Sequence, residues 1–139
     1  MSQKRKKIDA LIEPFLGRQL DAHYLGYFEC FNHGRFFEAH EVLEDLWLPD
    51  RKGPDGAFYK GLIQLAGAFV HLEKKRPSPA AALFRLSLDN FKNYPEIHHR
   101  LHLGKLAGQI REWLRALEDT PPNCIQLLPA IPPQLKLET

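Results

Sequence analysis

Sulfur is scarce in this chain, with two cysteines and one methionine among 139 residues. Cys30 and Cys124 lie far apart, and neither sits in a Cys-x-x-Cys pair. Two cysteines are too few for a disulfide framework, so reduced thiols are the simplest reading. Long hydrophobic runs are also missing. No stretch approaches the ~20 apolar residues of a membrane span. Ile8 to Leu20 follows a basic start, but Asp9, Glu13, Pro14 and Arg18 interrupt it, which excludes a signal peptide. Together these absences predict a cytoplasmic protein with no membrane partner.

Nor is there much charge of one sign. The net charge is +2, and Lys4, Arg5, Lys6 and Lys7 supply part of it. Without that run the body is nearly neutral, which makes nucleic acid an unpromising partner. The run lacks interleaved aromatics and reads as a frayed, solvated end. There is no alternating β-branched run to suggest a sheet. Phosphate-binding Gly-rich loops, Gly-x-Ser-x-Gly elbows and His-Glu-x-x-His pairs are missing as well. A di-iron bundle needs two Glu-x-x-His pairs and two further Glu, and Glu96 to His99 is the single such pair.

What the chain does have is helical periodicity, with 44% apolar residues to bury. Residues 8 to 16 read as a short helix broken by Pro14. Leu20, Tyr24, Tyr27, Phe28 and Phe31 recur at three- and four-residue steps over about 18–32. Asn32-His33-Gly34 is a stop of the left-handed kind. A second helix spans about 35–48 and ends at Pro49. Asp55 is an N-cap for a third, about 56–75, apolar nearly all round and therefore central. A fourth runs over about 78–93 and a fifth from residue 96 or 101 to 118. These features predict an all-α, single-domain bundle of about five helices. Its segments are a basic start and short helix (1–16), the bundle (17–120) and an extended Pro-rich tail (121–139) holding five prolines. The tail is either loose or laid on the bundle through Ile125, Leu127, Leu128 and Ile131.

The chemistry concentrates on two helices. On the second, at about 100° per residue, Phe36, Ala39, Leu43, Leu46 and Trp47 form a buried stripe with Val42 at its edge. Glu38 and Asp45 fall opposite, toward water. His40 and Glu44 lie on one line beside the stripe, and Glu41 stands at the margin. On the third helix Gln64 and His71 are two turns apart among Gly61, Gly67 and Ala68, small residues that admit a close neighbour. Buried polar groups need partners, since each one left unsatisfied costs about 1–3 kcal/mol. His40 and Glu44 across the hairpin are candidates.

Two readings follow. One is a structural network that fixes helix register. The other is a site for a small ligand, or for zinc, manganese or iron on His40, Glu44 and His71, with Glu41 and Gln64 nearby. The second admits an acid–base or metal-assisted hydrolase, with His40 or His71 as base or ligand and Glu44 orienting it. His98, His99 and His102 read as a solvated helix start, and Cys30 as a buried thiol. Edge aromatics and the Pro-rich tail also allow a homodimer.

The segment Phe31 to Trp47, FNHGRFFEAHEVLEDLW, resembles the hallmark of the bacterial and archaeal family called domain of unknown function 309. Tyr59 to Ala66, YKGLIQLA, with His71 beyond it, is similar to that family's second motif. The resemblance covers about Tyr27 to Tyr94. It implies a compact helical fold, with the family's marked positions matched by Glu38, His40, Glu41, Glu44, Trp47, Gln64 and His71. It implies no activity.

Overall fold

A computed structural model describes residues 2–119 and 133–138. Ile125, Leu127, Leu128 and Ile131, named above as tail contacts, lie outside the described residues, as does Cys124. Six helices carry the fold: α1 (Gln3–Ile12), α2 (Ala22–Asn32), α3 (Phe36–Trp47), α4 (Gly56–Glu73), α5 (Pro77–Phe91) and α6 (Leu103–Asp119). The all-α expectation fits this architecture broadly. The addition is a short antiparallel hairpin, β1 (Ile97–His98) with β2 (Leu101–His102), paired Ile97 to His102 and His98 to Leu101.

Local signals explain most boundaries. Gly34 takes a φ of +76° just past α2, and its N–H bonds the Phe31 carbonyl, the left-handed stop that Asn32-His33-Gly34 predicts. Pro77 sits in the first turn of α5, where a missing N–H costs nothing. α4 is the centre, packed by α3 on one side and α5 on the other, with α6 laid on α5. A chain of rings joins five helices: Phe31 meets Phe36 at 5.1 Å, Phe36 stacks on Phe69 at 4.9 Å, and Phe69 meets Phe84 and Trp113. Each such pair contributes roughly 0.5–1.5 kcal/mol beyond its buried area.

Two buried hydroxyls tie neighbours to one turn of α4. Tyr27 donates to the Leu62 carbonyl (2.6 Å) and Ser87 to that of Gly61 (2.8 Å). Gly61 admits α5 closely, as a Cβ there would lie 2.5 Å from the Phe91 ring.

The N-terminus differs from its expectation. Residues 3–12 are helical, not frayed, and Ser2 caps the helix by accepting from the Arg5 N–H. Pro14 opens a 3-10 turn, Glu13–Phe15, that follows α1. Ile8 is buried while Leu11 and Ile12 pack against the core. At the other end, residues 133–138 lie on the bundle. Asn32 exchanges two hydrogen bonds with the Leu135 backbone, Leu135 is buried, and Leu137 bridges Leu101. Among the described residues no helix is long and apolar enough to cross a membrane.

Candidate functional site

α3 and α4 lie side by side, and each contributes one stripe to the groove between them. From α3 come Phe37, His40 and Glu44, at spacings of three and four. From α4 come Lys60, Gln64, Gly67 and His71, at spacings of four, three and four. Ile63, Val70 and Leu83 complete the walls of this open groove of about 310 Å³. Four of the residues singled out by sequence, His40, Glu44, Gln64 and His71, thus border one space.

Their bonding is uneven. His40 Nε2 lies 3.2 Å from Glu44 Oε2, and Lys4 approaches the other Glu44 oxygen at 3.6 Å. Gln64 is not paired with α3. Its Oε1 accepts from Asn90 of α5 at 2.7 Å, which orients the amide and leaves its NH₂ as a donor. His71 Nδ1 is shut off from solvent and has no hydrogen-bond partner among the described residues. Lys60, which the sequence reading passed over, stands 4.4 Å from the centre of the Trp47 ring. Its place in the 60-64-67-71 stripe was the available signal.

Glu38, Glu41 and Trp47 do not line the groove. Trp47 instead lies against the Lys60 ammonium. Glu41 is buried, not marginal, whereas His40 and Glu44 are partly open. The reason is α1. Glu38, Glu41 and Asp45 share the side of α3 away from Ala39, and the basic run of α1 covers that side. Lys7 pairs with Glu41 and reaches Glu38 at 3.9 Å. Arg5 grips Asp45 with two bonds, at 2.8 and 3.0 Å, and His23 adds a third at 2.8 Å. Burial alone would raise the Asp45 carboxyl, but the bonds from Arg5 and His23 outweigh it and hold the carboxyl below its ordinary value. Glu38 and Asp45 therefore face a helix instead of water, and Lys4, Arg5 and Lys7 are docked.

His98 and His99 also depart from their expected place at a solvated helix start. They sit in the hairpin, with His98 Nε2 2.8 Å from one Asp55 oxygen and His99 Nε2 2.7 Å from the other. Asp55 precedes α4 but makes no side-chain cap bond. Among the described residues, Asp55, His98 and His99 are the set whose ligand atoms lie close enough together to hold one metal ion. His40, Glu44 and His71 are not such a set. Cys30 is buried, and burial pushes its thiol up to about 11, so it is no nucleophile at neutral pH.

Comparison with known proteins bears on the two helices of the groove. An uncharacterized protein of Aquifex aeolicus (strain VF5) is 29% identical over 89 residues, covering 64% of this chain and 27% of that protein. The match thus spans about a quarter of the relative's length. The family resemblance drawn from the two motifs holds: residues 24–83, which include Glu38, His40, Glu41, Glu44, Trp47, Gln64 and His71, match the model of the family described as a domain of unknown function, DUF309.

Proposed function

We propose that this chain is a small-ligand-binding module whose site is the groove between α3 and α4. The observation that carries the reading is the polar set His40, Glu44, Lys60, Gln64 and His71 on walls otherwise built from Phe37, Ile63, Val70 and Leu83. Ligand pockets have this composition, apolar walls with a few convergent polar groups, and span ~300–1,000 Å³. This one is at the small end, suited to a compact polar metabolite. It offers an anionic carboxylate, a cationic ammonium and two imidazoles, a mixture that favours a ligand with both donor and acceptor groups. A purely structural seam would pair these groups with one another, but among the described residues His40 and Glu44 are the one such pair, while Gln64 bonds Asn90 of α5.

The test is titration with a panel of amino acids, monosaccharides and nucleoside monophosphates, read from the His40 and His71 ring resonances. At least one member shifts both rings, and His71→Leu abolishes that response. If no member moves either ring and His71→Leu melts higher than the parent, the groove is only an imperfect seam and the reading falls.

A further inference from the structure

We propose that Asp55, His98 and His99 form a binding site for a divalent transition metal of the zinc class, separate from the α3–α4 groove. Two imidazole nitrogens and one carboxylate oxygen are a zinc-type donor set, with a fourth position left for water or a ligand. All three donor atoms converge, with each Nε2 within 2.8 Å of a carboxylate oxygen.

Neighbouring residues in a strand point to opposite faces, so consecutive histidines do not ordinarily reach one partner. Here the backbone departs from strand geometry. His99 and Arg100 form the two-residue turn of the hairpin with φ of +46° and +63°. Neither is glycine, and each such conformation costs on the order of 1–3 kcal/mol. The two contacts to Asp55 help to hold this strained turn, and a bound ion would take their place, since each Nε2 either bonds the carboxylate or ligates the metal. The surroundings hold the rings in place. His98 packs edge-on against Phe58 at 4.8 Å and beside Tyr94 at 4.9 Å, Tyr59 lies parallel to the His99 ring, and the Tyr24 hydroxyl donates to the His99 carbonyl at 2.9 Å.

Two further features oppose the ion. The site adjoins the N-terminus of α4, whose dipole weakly disfavours a cation. Zinc at ~2.0–2.1 Å from each donor sets tetrahedral donors roughly 3.3 Å apart, so each Nε2 must move out from the 2.7–2.8 Å it keeps to its carboxylate oxygen, within a set whose ligand atoms lie within 4.8 Å of one another. The side chains of Asp55, His98 and His99 are 29%, 22% and 36% exposed, which leaves both room to spread and a path for entry.

The experiment uses the full chain after chelator treatment. Zinc chloride alone is titrated by calorimetry, then cobalt(II) is followed by visible absorption and by proton resonances. One ion binds per chain, cobalt gives ligand-field bands, and the His98 and His99 ring signals broaden first. Asp55→Asn and His98→Gln each weaken zinc at least tenfold, while His102→Gln and His71→Leu do not. Cobalt broadening on the parent protein locates the ion even if a hairpin variant misfolds. Broadening centred elsewhere, zinc affinity unchanged in Asp55→Asn, or no binding below millimolar zinc overturns the proposal. None of these outcomes bears on the groove.

Discussion

Lys75 follows α4 in the left-handed region, with a φ of +57°. Its neighbour's N–H, that of Arg76, bonds the His71 carbonyl at 2.9 Å, so the position is a helix stop that glycine normally fills. The left-handed conformation costs a side-chain-bearing residue roughly 1–2 kcal/mol, and glycine's extra freedom when unfolded returns about 0.5–1 kcal/mol of that. Lys75→Gly should therefore raise stability by about 0.5–1 kcal/mol in urea denaturation. Gly61 makes the opposite case. An alanine methyl there meets the Phe91 ring at 2.5 Å, and Phe91 is part of the buried core. Overpacking of this kind costs about 1–3 kcal/mol, more than the ~1 kcal/mol alanine gains in helix propensity. Gly61→Ala should lose stability, and adding Phe91→Leu should restore part of it; a double variant no better than the single one contradicts the account. Sequence reading at this scale succeeded where periodicity faces a neighbour that is itself periodic. Gln64 and His71 fall on one line of α4 and do border the groove with His40 and Glu44. It failed for Glu41, because a helical wheel cannot know which helix covers the far side of α3.

The elements legible from sequence were those bounded by proline, glycine or a cap, and α2 through α6 match within a few residues. α1 was not legible. Four consecutive basic residues look solvated, and the acids that hold them, Glu41, Glu44 and Asp45, lie more than thirty residues away. The hairpin was invisible for a different reason. Its turn is His99-Arg100, without the Asn or Gly that announces such turns. The docking of α1 predicts an asymmetry. Lys7→Ala strands the buried Glu41 carboxylate, at a cost of about 1–3 kcal/mol. Glu41→Ala leaves Lys7, whose side chain is 37% exposed and can turn to water, so it costs less. A double-mutant cycle should show the two effects to be clearly non-additive. Equal losses that simply sum would mean that the Lys7–Glu41 pair adds nothing to the docking of α1.

Taken as a whole, the molecule should lose stability in acid, and Asp45 gives that loss a definite origin. The folded-state pKa of Asp45 is lowered, because the bonds from Arg5 and His23 outweigh burial, which acts the other way. An unfolded Asp titrates near 3.9. The folded state thus binds its proton less readily, and the resulting stability is fully present above about pH 4. It is lost as pH falls through the lower folded value. Arg5 stays charged throughout, so in the Arg5–Asp45 pair the carboxylate is the partner that changes. Glu73 runs against this trend. Burial and then Glu38 raise its carboxyl, so its protonation in acid favours the folded state. Of the two, Asp45 is the one that joins three elements, since Arg5 comes from α1 and His23 from α2. Urea denaturation of the parent and of Asp45→Asn at pH 7, 5, 4 and 3 separates these contributions. The parent should be the more stable at pH 7, and its advantage should shrink below pH 4 as its carboxyl protonates toward the neutral state of the variant. An advantage that stays constant down to pH 3 would show that Asp45 contributes shape alone and that the charged contact between α1, α2 and α3 adds nothing to the fold.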